Sequence, residues 1–279
     1  MNYRHAYHAG GSADVFKHAV LVTLLDLLTA KDKPMAYLDS HAGIGRYDLT
    51  SEAAAKTGES LAGIVVLRES LAETPTKNPT LARFAALVEA AQPVPGELLI
   101  YPGSPGFAAA CLRPTDQLIL VEAHPDDAHV LGRQFRRDRR VHVHHRDGWE
   151  AIAGLLPPPE KRGLLLIDPP FEKADEFTRM SRAAVKARAR FPGGCVALWH
   201  PIKADEGPVR QYYSDMVESG LREILKIEFR APLGALAGSG MVLVNPPWRA
   251  DVTLKPMLEE LAVRLGSPGA ASQRWLVGE

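Results

Sequence analysis

Leu164-Leu165-Leu166-Ile167-Asp168-Pro169-Pro170-Phe171 is an unbroken apolar run that ends in an acid and a double proline. A run of this length without alternation suits a strand buried on both faces, as in a parallel sheet, and proline stops it because it lacks an N–H for the ladder. Five similar runs lie elsewhere: Ala36-Tyr37-Leu38-Asp39, Leu118-Ile119-Leu120-Val121-Glu122, Val141-His142-Val143-His144, Cys195-Val196-Ala197-Leu198-Trp199 and Met241-Val242-Leu243-Val244. Helical periodicity falls between them, over residues 14–28, 126–135, 175–190 and 209–219. This alternation predicts an open α/β sheet with helices on both faces.

Ligands in such sheets bind beyond the carboxyl ends of the strands. Asp39, Glu122, Asp147 and Asp168 all stand at or just past a predicted strand end. Solvated loop acids are the plain alternative for any one of them, but core packing does not explain four. Residues 50–95 contain no convincing strand; 60–71 and 80–91 read as helices, which predicts a small helical insertion between the first two strands. The stretch Ser267-Pro268-Gly269-Ala270-Ala271-Ser272 reads as a loop.

Composition narrows the class. Hydrophobic residues at 46% and charged residues at 24% describe an ordinary globular chain with a sizeable core. No apolar run is long enough to span a bilayer, and the start Met1-Asn2-Tyr3-Arg4-His5 lacks a secretory signal, so a cytoplasmic protein is expected. Cys111 and Cys195 have no metal-like spacing, and no His-Glu-x-x-His or Cys-x-x-Cys pattern occurs, so no metal is expected. Net charge is zero, yet Arg133, Arg136, Arg137, Arg139, Arg140 and Arg146 crowd one segment. That crowding fits a nucleic-acid contact or a solvated helix end equally well.

The acids can carry one chemistry together. Asp39-Ser40-His41-Ala42-Gly43-Ile44-Gly45 forms a glycine turn after the first strand, without the Lys-Ser/Thr of a phosphate loop and without a complete dinucleotide fingerprint. Glu122 can accept from the hydroxyls of a ribose, and Asp147, followed by Gly148, from the amino group of an adenine. S-adenosylmethionine has both groups and no phosphate. An exocyclic base amine is a poor nucleophile because its lone pair is delocalised. The Asp168 carboxylate and the Pro169 carbonyl can accept its two N–H bonds and free that lone pair, while Phe171 offers a face for stacking the base. Asn245-Pro246-Pro247-Trp248 is similar in type. The amine-holding motif should follow the fourth strand, as Asp168 does, whereas Asn245 is expected after the last strand and is assigned to structure.

With these residues assembled, the chain resembles the bacterial 23S rRNA (adenine(2030)-N6)-methyltransferase family of the RlmJ type, essentially end to end. Specific matches are Tyr3-Arg4-His5-Ala6-Tyr7-His8-Ala9-Gly10, Ala13-Asp14-Val15-Phe16-Lys17-His18, Leu38-Asp39-Ser40-His41-Ala42-Gly43, Tyr101-Pro102-Gly103-Ser104-Pro105, Leu166-Ile167-Asp168-Pro169-Pro170, Ser239-Gly240-Met241 and Asn245-Pro246-Pro247-Trp248. The resemblance implies a Rossmann-like class I methyltransferase sheet, a single domain over residues 1–279, with the helical subdomain inserted at 50–95. It implies that His18, His41, Ser104, Glu122, Asp147 and Gly148 contact S-adenosyl-L-methionine and that Asp168 is catalytic. It further implies that Tyr3 meets the substrate 23S ribosomal RNA, with Lys17 beside the cofactor residues and expected to help hold the substrate. A monomer is favoured. Phe171 stands where the family more often has tyrosine, and rRNA guanine-N2 methyltransferases share Asp-Pro-Pro-Phe. Guanine-N2 methylation of rRNA, adenine-N6 methylation of DNA, a non-catalytic ribosome-assembly factor, and methylation of a protein glutamine or small amine are the competing readings.

Overall fold

The computed structural model describes residues 5–231 and 236–278; Tyr3 lies outside them. The chain begins with a 3-10 turn His5–Tyr7 and helix α1 Ser12–Thr29, then β1 Ala36–Asp39 and β2 Arg46–Asp48. Next come α2 Glu52–Thr57, a π turn Leu61–Val65 that runs into α3 Val66–Glu73, α4 Pro79–Ala90, and β3 Ile100–Pro102. Helices and strands then alternate: α5 Ser104–Cys111, β4 Gln117–Glu122, α6 Pro125–Phe135, β5 Val141–His145, α7 Gly148–Leu155, β6 Gly163–Ile167, α8 Glu176–Arg190, β7 Gly194–Ile202 and α9 Gly207–Glu218. The chain closes with β8 Ile224–Phe229, β9 Gly238–Val244, α10 Ala250–Arg264 and β10 Ala271–Val277.

The large sheet has the order β10-β8-β9-β7-β6-β1-β4-β5. Strands β5, β4, β1, β6 and β7 are mutually parallel. This is the open α/β sheet expected from the apolar runs, in the Rossmann-like arrangement that the resemblance implies. Chain order reverses beside β1: β4 and β5 build outward on one side, β6 and β7 on the other. The crevice beyond the carboxyl ends at this reversal is where such folds bind ligands.

The decisive run behaves as its sequence demands. Leu164 and Leu166 join a core with α1, α4, α5 and α10, while Leu165 and Ile167 join a second core under α8 and α9. Both faces of β6 are dry, so no polar residue fits until Asp168. Helix α1 is buried without a break from Asp14 to Leu25, with Asp14, Lys17, His18 and Thr23 as the polar residues of that stretch. Phe84 of α4 and Ile64 of the π turn share the core of Phe16 and Phe107. The two-stranded pair β2–β3 brackets this helical segment, with Tyr47 opposite Tyr101.

Four expectations need correction. Not every strand is parallel: β9 runs antiparallel to both β7 and β8, and β10 antiparallel to β8. Strand β9 is not the last strand, because α10 and β10 follow it. Ala271 and Ser272 belong to β10 rather than to a loop; its solvent-facing edge carries the polar residues that hid it. Strand β5 is an edge strand with His142 and His145 exposed, so it is not buried on both faces. The reversal of β9 settles Asn245 more firmly than chain order could. Its end lies at the amino edge of the parallel strands, where the Asn245 amide donates to the carbonyl of Gly194 at the start of β7 (2.9 Å). No helix among the described residues is long and apolar enough to cross a membrane.

Candidate active site

The acid of each central strand organises the loop that follows it. Asp39 is wholly buried and accepts from the Tyr37 hydroxyl (2.7 Å), the Ser104 hydroxyl (2.6 Å) and the His41 N–H (3.2 Å). Burial pushes its pKa up to about 6, against the pull of these hydrogen bonds. The Ser40 hydroxyl donates to the Leu166 carbonyl at 3.0 Å, and its oxygen lies 2.8 Å from His41 Nδ1. Burial pushes His41 down to about 4, so its ring is neutral near pH 7. Glu122 closes β4 and spreads its two oxygens: one accepts from Gly43 N–H (2.9 Å), the other from His124 N–H (2.7 Å). Burial raises its pKa as well.

Asp168 leaves β6 directly and meets Lys17 from α1, with Nζ 2.6 Å from Oδ2. Lys17 is also 2.8 Å from Asp14, which lies 2.8 Å from His5 Nε2 and accepts from Gly10 N–H. Lys17 is only 3% exposed. Burial opposes its charge, but Asp14 and Asp168 outweigh burial and hold the ammonium well above its usual range. Asp14 is likewise held well below the usual carboxylate range: its burial is overcome by His5 and Lys17. Among the described residues nothing donates to Asp168 Oδ1.

Two cavities meet at this carboxylate. One, of about 140 Å³, is walled by His18, His41, Gly43, Ser104, Glu122 and Asp127. The other, of about 430 Å³, is walled by Pro169, Phe171, Trp199, Lys203 and the Thr57–Glu59 turn. His5, Lys17, Asp168 and Pro170 line both. Phe171 stands at φ 51°, a left-handed conformation that costs a bulky residue roughly 1–2 kcal/mol. Its ring meets Phe177 and Trp199 edge to face, at 5.2 and 5.9 Å between centroids. The strained turn thereby aims Phe171 along the second cavity.

The structure thus gathers His18, His41, Ser104, Glu122, Lys17 and Asp168 around one cavity, and Pro169 and Phe171 around its neighbour. Asp147 and Gly148 stand behind the first wall. Asp147 caps α7, its Oδ1 accepting from Trp149 and Glu150 N–H. Gly148 packs so closely on the turn that a Cβ there would sit 2.1 Å from the Ser40 carbonyl. Asp14, His5 and Trp199 were absent from the sequence-based set. Asp14 had a readable signal: with Lys17 it is a charge pair three residues apart at the start of a mostly apolar helix. Trp199 had none.

The first cavity suits a cationic, phosphate-free donor. Three carboxylates line it, Glu122, Asp127 and Asp168. Among the described residues Lys17 is the one Lys or Arg in its wall, and two acids already neutralise it. Among the described residues a phosphate would find no unpaired Lys or Arg, whereas a sulfonium would find negative charge. Among the described residues no group of His, Cys, Asp or Glu is placed to hold a metal. Residues 32–277 match the family described as "RsmJ: Ribosomal RNA large subunit methyltransferase D, RlmJ". The chain belongs to this family of ribosomal RNA large subunit methyltransferases. It is 36% identical to Ribosomal RNA large subunit methyltransferase J of Escherichia coli K12, over 100% of both chains. The protein of that name from Haemophilus influenzae is also 36% identical, over 99% of this chain and 98% of its own. Among solved structures, protein LPL1258 from Legionella pneumophila superposes with a TM-score of 0.85 at 33% identity, covering 96% of this chain and 97% of the other. As a member of the RlmJ family the chain is a methyltransferase that uses S-adenosyl-L-methionine.

Proposed function

We propose that this enzyme methylates N6 of an adenine in 23S ribosomal RNA. The observation that carries the reading is Asp168 at the junction of two cavities, with one oxygen clamped by Lys17 and the other open. The likeness to two RNA methyltransferases of full length supports the substrate class. A ribosomal substrate implies a cytoplasmic site of action.

When bound, S-adenosylmethionine supplies an electrophilic methyl carbon on a sulfonium. Glu122 would hold its ribose, with His18, His41 and Ser104 shaping the wall; Asp147, assigned to its adenine amino group, stands with Gly148 just behind that wall. Base flipping would bring the target adenine into the larger cavity, against Phe171. Asp168 Oδ1 and the Pro169 carbonyl accept the two N–H bonds of the amine, so its lone pair turns toward the methyl carbon. Lys17 acts as a positioning residue: its bond to Oδ2 fixes the carboxylate plane and presents Oδ1. Once the nitrogen carries the methyl group it is cationic and strongly acidic, and Asp168 takes its proton. Tyr3 is assigned to the RNA as well. Residues 50–95 serve as a helical subdomain inserted into one methyltransferase domain, and α2 and the π turn wall the substrate cavity.

Transfer of tritiated methyl to ribosomal RNA lacking the modification, followed by nucleoside analysis, tests the reading. Labelled N6-methyladenosine from the large-subunit RNA is expected. Label in 2-methylguanosine, in DNA or in protein would overturn it.

A further inference from the structure

Arg133 of α6, with Arg136 and Arg137 in the turn that follows its end at Phe135, converges on one cleft. Arg46 of β2 enters the same cleft, anchored by Nη2 donating to the Ala91 carbonyl (3.2 Å). With Val130 and Gln134 these four arginines line a cleft of about 550 Å³. Among the described residues no carboxylate pairs with Arg133, Arg136 or Arg137. The acid within the run, Asp138, is taken by Arg140 at 2.6 Å. Arg140 also donates to the carbonyls of Ala109 and Leu112, which ties it into the fold.

A helix C-terminus accounts for one cation, worth about 0.3–1 kcal/mol. It does not account for a fourth arginine brought by a separate strand against the repulsion of the others. Nor is the cluster a share of general basicity, because the whole chain has net charge zero. The cleft backs onto the site: a Cβ at Gly45, in the turn after β1, would meet Leu131 and Phe135 of α6 at 2.9 Å. At the other end of α6, Asp127 lines the donor cavity.

We infer that this cleft holds backbone phosphates of the RNA substrate, on a structured arm remote from the target base. The inference rests on the RNA substrate proposed above. Guanidinium groups match phosphate oxygens in bidentate geometry and stay charged at any working pH. The target base enters beside Phe171 and Trp199, on the opposite side of β1 from α6. The cleft therefore serves phosphates several nucleotides away from that base.

The test compares the wild type with Arg133→Gln/Arg136→Gln/Arg137→Gln and with the corresponding triple lysine variant. RNA affinity is measured against salt, using a long rRNA fragment and a short single-stranded oligonucleotide that carries the target. Losing three phosphate contacts lowers the slope of log K against log salt by about 2–3, nearer the upper figure for a double-stranded arm. From about 50 to about 200 mM salt the wild type should therefore lose about 20- to 40-fold more affinity for the long fragment than the glutamine variant does. The lysine variant should keep the wild-type slope, and KM of the glutamine variant should rise on the long fragment only. Equal slopes in wild type and glutamine variant, a lysine variant that loses the slope, or an equal KM defect on the short oligonucleotide would each overturn the inference. A wild type that shows the arginine-dependent slope but methylates no RNA base would instead overturn the proposed function and leave the cleft standing.

Discussion

Gly63→Ala and Gly132→Ala are both glycine-to-alanine changes inside helical segments, and helix propensity alone predicts that each stabilises by about 1 kcal/mol. The structure separates them. A Cβ at Gly132 would meet nothing within 4 Å, so the gain of about 0.5–1 kcal/mol should be realised. A Cβ at Gly63 would lie 2.2 Å from the Gly10 carbonyl oxygen, 2.5 Å from the Gly11 carbonyl carbon and 2.7 Å from the Ser12 nitrogen. All three are backbone atoms, which no rotamer change can move. The N-terminal segment would have to retreat by about 1 Å to reach ordinary contact. That retreat breaks the bond from Ile64 N–H to the Gly10 carbonyl, now 2.9 Å, at a cost of about 1 kcal/mol. Overpacking adds about 1–3 kcal/mol, so after the propensity gain the net loss is about 1–3 kcal/mol. The same segment carries His5, which touches Asp14 and hence Lys17 and Asp168. A 1 Å displacement there should lower kcat by about 100-fold. Urea unfolding and single-turnover methyl transfer on both variants decide the matter. Were Gly63→Ala as stable as Gly132→Ala with kcat near wild type, the reasoning about this backbone contact would be refuted.

Asp168→Ala should abolish methyl transfer while calorimetry shows S-adenosylmethionine affinity largely kept; turnover near wild type would remove Asp168 from the mechanism. Lys17→Met leaves Asp14 and Asp168 without their shared cation and should destabilise the fold by about 3–5 kcal/mol. The raised Lys17 makes its contribution below the unfolded pKa of about 10.4 and loses it as pH climbs through the higher folded value. The depressed Asp14 contributes above about 3.9 and loses it as pH falls. The deficit in Lys17→Met should therefore be full from about pH 5 to 10 and shrink below about pH 4; an equal deficit at pH 3 and pH 8 in urea titrations counts against the pairing. His41, held down to about 4 by burial, binds a proton in the unfolded chain first, so its own contribution to stability rises with pH between about 4 and 6.5, against the opposite contribution of the raised Asp39. In His41→Gln that slope should weaken, and unchanged slopes in urea midpoints would show that the ring is not buried as a neutral group.

The sequence by itself determined the parallel centre of the fold and the acids that serve it. Runs such as Leu164–Ile167 are apolar at every position because both faces of β6 are dry, and that requirement is written residue by residue. The placement of Asp39, Glu122 and Asp168 follows from the same cause, since polarity is excluded along their strands until the end; Asp147 instead follows β5, an edge strand that is polar along its length. Strand direction is not written this way. Apolar patterning is the same whichever way β9 runs, so only the fold could send Asn245 to the far edge from Asp168. Strand β8 stayed hidden because Lys226 and Glu228 interrupt it; their pairing with each other and with Arg230 is what makes the charges tolerable there. The tertiary structure alone decided what Asp168 can do. Its partner Lys17 lies 151 residues away, and Trp199 closes the other side of the same ammonium at 5.4 Å. A carboxylate with one oxygen clamped and one open is a property of three elements packed together: α1, β6 and β7 hold the contacts that the tetrapeptide Asp168-Pro169-Pro170-Phe171 cannot make alone.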